Sequence, residues 1–305
     1  MSPAFASLTV HPVPGPGAED VLVAPDGRVF TGTEDGAIWA LSADGARLNR
    51  LAHTGGRPLG LELYGDDLLV CDARRGLLLV HPNGEVEELA SAVDGVPMRF
   101  CNNAAVAADA TIWFSDSSRH YGIDQWKDDL VQDTRTGRLL RRDPDGSVRV
   151  VLDGLAFANG VALSAGEEYV AVAETGARTV VRHWLSGPKA GQRDLLCDNL
   201  PGYPDNISRG SDGLIWVTIA SPTDPVVEGL QRAPMPLRKM ATRIPEVLQP
   251  KPKRTIRVQA YDDTGRLVHD IDLDHPGYHM VTGVREHDGA VWLGSLHEPA
   301  VAVVS

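Results

Sequence analysis

The sequence predicts an all-β chain folded as a six-bladed β-propeller, with four antiparallel strands to a blade. Three observations predict it. Asp-Gly and Asn-Gly pairs recur between short apolar runs, the strongest local signal for a hairpin. The runs fall into units whose first strands start near residues 19, 60, 102, 159, 205 and 281. Their base period, roughly 40–45 residues with four strands per unit, is that of a propeller blade. The period is too long for a β-helix, and a sandwich would not repeat its Asp-Gly turns so regularly.

The units read in order as follows. Residues 19–41 give strand, Asp26-Gly27 turn, strand, Asp35-Gly36 turn and strand. The second unit places strands at 59–63, 68–71, 77–81 and 85–89, with turns at Asp66-Asp67, Arg75-Gly76 and Asn83-Gly84. The third runs 102–106, 112–115, 137–142 and 147–152, its last turn being Asp145-Gly146. The fourth runs 159–163, 169–173, 179–184 and 193–197. The fifth begins at Asp205, turns at Ser211-Asp212-Gly213, continues over 214–218 and resumes at 257–261 and 267–272. The sixth has three strands, 281–285, 290–293 and 300–304. The apolar stretch 5–13 is expected to supply its missing outer strand and close the ring. Two long intervals mark insertions in what is otherwise a single domain over 1–305. One spans about 117–136. The other spans about 221–253 and holds a predicted helix at 226–240. Both are expected to cap the channel mouth.

Composition narrows the function. The chain has 305 residues, 43% of them hydrophobic and 23% charged, enough for a sizeable core. Its 31 glycines and 21 prolines fit many turns. The net charge of −12 argues against nucleic acid and suits a cation or a neutral small molecule. No run approaches the roughly 18 apolar residues of a membrane span, and Met1-Ser-Pro-Ala-Phe-Ala does not read as a secretory leader, so none is expected. Cys71, Cys101 and Cys197 lack metal-type spacing and read as reduced thiols of a cytoplasmic protein. The expected partner is a small-molecule substrate, with neither nucleic acid nor membrane.

The leading residues of the first strands line the mouth of a propeller's channel. Here they are Glu19, Gly60, Asn102 or Asn103, Asn159, Asp205 and Thr282. Each has an ordinary alternative: Glu19 as a surface acid, Asn102 and Asn159 as turn residues, Asp205 as a local cap. Their recurrence at one position of the repeat favours a common site. Two carboxylates and two amides make an all-oxygen set. Such a set suits a hard divalent cation, Ca²⁺ above all, with Mg²⁺, Mn²⁺ and Zn²⁺ as lesser candidates.

Several stretches resemble a known family: Phe157-Ala-Asn-Gly-Val-Ala-Leu-Ser164, Val172-Ala-Glu-Thr175, Leu185-Ser-Gly-Pro-Lys-Ala-Gly191, Asp198-Asn-Leu-Pro-Gly-Tyr-Pro-Asp-Asn-Ile207 and Glu286-His-Asp-Gly-Ala-Val-Trp-Leu-Gly-Ser295. They are similar to strictosidine-synthase-like proteins, within the wider group of gluconolactonases, senescence marker protein and luciferin-regenerating enzyme. The likeness runs from Glu19 onward. It implies six blades and, for the lactonase and diisopropylfluorophosphatase-like members, one divalent cation, usually Ca²⁺, at the channel centre. On that resemblance Glu19, Asn102, Asn159 and Asp205 match the metal ligands. Asn103 departs from the family's Asp. The plant enzyme that names the family joins an amine to an aldehyde and uses a Glu in its sixth blade. Thr282 holds that place here, so condensation is not expected.

The expected activity is metal-dependent hydrolysis of a lactone or related ester, with phosphotriesters as a side activity. Asp205 is the expected general base or, less readily, the nucleophile. Asn103, His120, His279 and Thr282 are candidates for contact with substrate. The alternatives are a non-catalytic propeller with a structural metal, or other chemistry on the same ion. The chain shows no Gly-x-Ser-x-Gly elbow and no phosphate-cradling glycine loop.

Overall fold

A computed structural model of the chain describes residues 7–244 and 252–305. Its six four-stranded antiparallel sheets are the blades of a propeller. Their innermost strands are Val21–Val23, Pro58–Tyr64, Cys101–Val106, Ala158–Leu163, Gly202–Arg209 and Val281–His287, for blades 1 to 6. Leu8–Pro12 pairs with Ala300–Val304 and gives blade 6 its outer strand, so the two ends of the described chain close the ring. The expected closing stretch began at residue 5, and residues 5 and 6 lie outside the described residues.

The turns form as their residues dictate. Asp26, Asn83, Asp145 and Asp212 each accept a hydrogen bond from the backbone N–H two residues on, at 2.9–3.1 Å. The glycine between takes a φ of +80 to +89°. Two elements of the sheets had no sequence signal, and neither did the first helix described below. The outer strand of blade 1, Leu48–His53, is exposed at three of its six residues and does not alternate. A small hairpin pairs Ala92–Val93 with Val96–Pro97.

The core is divided between the blades. Six apolar clusters fill the six blade interfaces, for example Ile38 with Leu78 between blades 1 and 2, and Val217 with Ala171 between blades 4 and 5. A seventh cluster, Leu59, Ala73, Phe100 and Phe157, lies at one end of the channel. Cys71 and Cys101 are buried and unpaired. No helix among the described residues is long and apolar enough to cross a membrane.

One irregularity repeats around the ring. In blades 2 to 6 the innermost strand carries one extra residue relative to its partner, a β-bulge. The bulged pairs are Leu59-Gly60, Asn102-Asn103, Asn159-Gly160, Asp205-Asn206 and Thr282-Gly283. In blade 1, Glu19-Asp20 directly precedes the strand. The second residue of each pair faces a neighbouring blade except in blade 5, where Asn206 reaches across to Glu19 of blade 1. Asp20 accepts from Leu61 N at 2.9 Å, and Asn103 Oδ1 accepts from Val161 N at 2.9 Å. The glycines of blades 2 and 4 sit against the bulges of blades 3 and 5, and that of blade 6 against Glu19-Asp20 of blade 1. A Cβ on Gly160 would lie 2.0 Å from Ile207 N. Gly160→Ala is therefore expected to destabilise the protein by about 2 kcal/mol or more, the cost of overpacking against backbone. The midpoint of urea unfolding measures this.

The insertions carry three short helices: α1, Trp126–Gln132, in blade 3, and α2, Pro225–Arg232, with α3, Met235–Ala241, in blade 5. The single helix expected over 226–240 is split because Pro234 and Pro236 cannot donate to a preceding turn. Asp224 caps α2, accepting from Val226 N at 2.7 Å. The insertions dock on each other through Gln231 to Leu130 O (2.8 Å), Arg238 to Gln132 O (2.9 Å) and Gln132 to Thr242 (3.2 Å).

Candidate active site

A cavity opens at the channel mouth beneath these helices, and Glu19, Asn102, Asn159 and Asp205 all line it. They are the leading residues of blades 1, 3, 4 and 5. The bulge explains how. The extra residue breaks the in–out alternation of the strand, so in blades 2 to 5 the first side chain of the pair, Leu59, Asn102, Asn159 or Asp205, lines the cavity. Leu59, rather than Gly60, occupies the position in blade 2, a correction by one residue that follows from the bulge register.

The amides are held by their nitrogen ends. Asn102 Nδ2 donates to Ser117 Oγ at 3.0 Å and Asn159 Nδ2 to Thr175 Oγ1 at 3.2 Å. Asn206 Nδ2 donates to Glu19 Oε1 at 3.0 Å. What remains is a set of buried oxygens with no hydrogen-bond partner: Glu19 Oε2, Asn102 Oδ1, Asn159 Oδ1 and Asn206 Oδ1. Buried polar atoms are rarely left unpaired, and each unmet one costs about 1–3 kcal/mol. Three of these four belong to residues lining the cavity. An oxygen-seeking cation fits them, since a carboxylate oxygen and two amide carbonyl oxygens beside a second carboxylate are hard ligands. No group of three or more His, Cys, Asp or Glu among the described residues is arranged to hold a metal, so a cation here would depend on the amides.

The electrostatics agree. Burial pushes Glu19 well above the usual carboxylate range, and the charges of Asp205 and Asp20 push it further, against the nearby Arg57. Burial carries Asp205 up to about 7, with a hydrogen bond from Asn159 opposing and Asp20 adding. Asp20 reaches about 6, again through burial, moderated by Arg285 and the Leu61 N–H. Three carboxyls compete for ionisation in one dry place, a demand that a divalent cation would relieve.

Thr175 bridges two of the candidate ligands. Its hydroxyl accepts from Asn159 and donates to Pro204 O at 2.8 Å, next to Asp205. Thr175→Val keeps the shape and frees the amide to rotate. It is expected to weaken Ca²⁺ binding about 10–100-fold, as loss of a residue that orients a ligand usually does. Isothermal titration checks this, alongside a melting temperature that stays near that of the parent.

The other residues singled out from the sequence sit elsewhere. His120 is exposed and outside the cavity wall. His279 also stands outside it, its Nδ1 against the Glu298 carboxylate and its Nε2 3.3 Å from Arg254. Thr282 is fully buried and donates to Glu19 O at 2.8 Å, so it positions Glu19 rather than facing a ligand. Asn103 is spent on the pin to Val161. Sequence reading missed Leu59, Phe100, Phe157 and the inner faces of α1 and α2, which form the cavity walls.

Residues 102–188 match the strictosidine synthase family model, and residues 6–41 match that of the strictosidine synthase-like N-terminal region. Strictosidine synthase-like 10 of Arabidopsis thaliana is 33% identical, aligned over 83% of this chain and 70% of its own length. The adipocyte plasma membrane-associated protein of Salmo salar is 33% identical over 92% of this chain and 75% of its own. Against strictosidine synthase-like 13 of Arabidopsis thaliana, 38% identical over 62% of this chain, the match spans about half (48%) of the relative. Among solved structures, a gluconolactonase of Xanthomonas campestris superposes with a TM-score of 0.71 at 16% identity, over 97% of this chain and 88% of that one. The calcium-binding protein regucalcin of Agrobacterium tumefaciens gives 0.67 at 12%, over 96% and 90%. At such identities the structural likeness speaks to the fold.

Proposed function

The chain belongs to the strictosidine synthase-like family, and we propose that it is a lactone or ester hydrolase working with one divalent cation, Ca²⁺ foremost, held by Glu19, Asn102, Asn159 and Asp205. The observation that carries the proposal is the convergence on one cavity of three buried, unpartnered oxygens from three blades, with the Asp205 carboxyl lining the same cavity. Two solved propellers described as a gluconolactonase and as a calcium-binding protein support it at the level of fold.

A bound cation would supply electrophilic polarisation of the substrate carbonyl. The remaining work falls to the chain. Asp205, half-buried and readily protonated, takes a proton from the attacking water as its oxygen bonds to the carbonyl carbon. It returns that proton to the leaving alkoxide as the C–O bond breaks, leaving a hydroxy acid from a lactone. Asn206 and Thr282 hold Glu19 in place at its carboxylate and backbone carbonyl. The three helices roof the cavity and limit water. Amine–aldehyde condensation does not fit this site, because Thr282 brings no carboxylate to the cavity.

The test is to strip the protein with EDTA and assay aliphatic and sugar lactones with and without Ca²⁺. Turnover that vanishes on stripping and returns with Ca²⁺ is the expected result. No turnover in either state, with a large Ca²⁺-dependent rise in melting temperature, would leave only a structural ion and overturn the hydrolase.

A further inference from the structure

The cavity has polar chemistry at its floor and apolar walls almost everywhere above it. Leu59 and Phe100 come from blades 2 and 3, Phe157 from the approach to blade 4, Trp126 from α1, and Val227 and Leu230 from α2. Leu59, Phe100 and Phe157 belong to one buried cluster, on which Trp126 also packs, with the Phe100 and Phe157 rings edge to face at 5.4 Å. Of the five hydroxyls that reach this wall, all but that of Thr223 are engaged within the protein. Tyr203 OH lies between Glu228 and Asp224 N, and Thr175 between Asn159 and Pro204 O. Ser221 donates to Pro222 O, and Thr242 to Lys239 O. The charged side chains of Lys127, Asp128, Asp224 and Lys253 also border the cavity, on or beside the roofing insertions.

Two backbone outliers point the same way. Phe157 and Met280 both line the cavity, and both hold left-handed conformations, with φ of +62° and +52°. Each stands two residues before a leading residue, Asn159 or Thr282. Gly17 takes φ +68° at the matching place before Glu19. A non-glycine residue there costs roughly 1–2 kcal/mol. Bulky apolar side chains stand where glycine would be cheaper, and they face the ligand space.

We propose that the substrate is lipophilic: a lactone or ester whose carbonyl meets the carboxylate–amide floor while an alkyl chain or aromatic ring fills the space under α1 and α2. A polyol lactone would leave its hydroxyls unpaired against these walls, each at a cost of about 1–3 kcal/mol. This rests on the hydrolase reading of the same cavity, and its test separates the two.

The experiment compares kcat/KM for γ-butyrolactone, γ-hexalactone, γ-octalactone, γ-decalactone and glucono-δ-lactone with Ca²⁺ present. The expected result is a rise of up to about fourfold per added methylene until the cavity fills, with glucono-δ-lactone at the bottom of the series. Leu230→Gln and Trp126→Ala should each lower the ratio of γ-decalactone to γ-butyrolactone kcat/KM at least tenfold. A flat series, or preference for the sugar lactone, overturns the proposal. Calorimetric titration of the EDTA-stripped protein supplies a readout without turnover. If no lactone is hydrolysed, γ-decalactone binding at least tenfold tighter than γ-butyrolactone, and weakened in Leu230→Gln, supports the lipophilic site while the hydrolase fails. Equal or absent binding of the two sinks it.

Discussion

Asp205→Asn is expected to lower kcat about a thousandfold at saturating Ca²⁺ and, in the same protein, to raise the melting temperature of the ion-free form. The two effects have one origin. Asp205 titrates near 7 because burial and the charge of Asp20 oppose its ionisation, and its own charge in turn helps hold Glu19 protonated. An amide at this position accepts no proton from water, so general-base catalysis, worth roughly 10²–10⁴ in rate, is lost. The amide also carries no charge to desolvate and repels neither Glu19 nor Asp20, which relieves the ion-free fold. Activity and stability should move in opposite directions, as they do where a site stores unfavourable electrostatics for function. Ca²⁺ affinity, measured separately, should fall with the loss of one negative charge. Kinetics at saturating ion therefore isolate the base from the ligand. Retained kcat would remove Asp205 from the chemistry. A variant that loses both activity and ion-free stability would make Asp205 a structural residue.

How far the sequence reveals this site depends on the kind of residue. The turns are legible because each is local chemistry: Asp212 receives the Leu214 N–H whatever surrounds it. The four polar cavity residues are legible because the repeat sets their phase, and a phase shared by four blades stands out where a single Asn-Gly would not. The bulge is not legible. It depends on pairing with the next strand, and without it the reading placed Gly60 where Leu59 belongs. The walls are hidden for a related reason. Phe157 and Met280 lie outside the regular strands, and their direction is set by a left-handed φ that no local pattern announces. Leu48–His53 carries no clear pattern because an outer strand packs one face poorly and faces water with the other. Thr282 had the right phase, yet its hydroxyl is turned to the neighbouring backbone, a choice made by packing with blade 1.

The stabilisation gained from Ca²⁺ is expected to be small near pH 5 and several degrees larger near pH 8. The sign follows from the carboxyls around Glu19. Asp205 rises from an ordinary 3.8 to about 7, Asp20 from 3.8 to about 6, and Glu19 upward in the same sense, each led by burial. Between the unfolded and folded values the native state binds more protons than the unfolded one, so stability falls as pH rises. The contribution of these groups is full below about pH 4 and is lost as pH passes through 6 and 7. One carboxyl shifted by three units is worth a few kcal/mol. A divalent cation offsets this loss by taking the place of the protons, and its binding must release them, so its affinity climbs with pH over the same window. His183 and His297 act with the opposite sign, since burial lowers both and their stabilisation grows as pH passes upward through the ordinary histidine range. Neither is among the proposed ligands, so they should weigh nearly equally on ion-free and ion-saturated protein. The informative quantity is then the difference between melting temperatures with Ca²⁺ and with EDTA, followed from pH 5 to 8. A difference that grows with pH is the expected result, and Asp205→Asn should flatten it. A difference that is constant, or largest at pH 5, would mean that these carboxyls do not hold the ion.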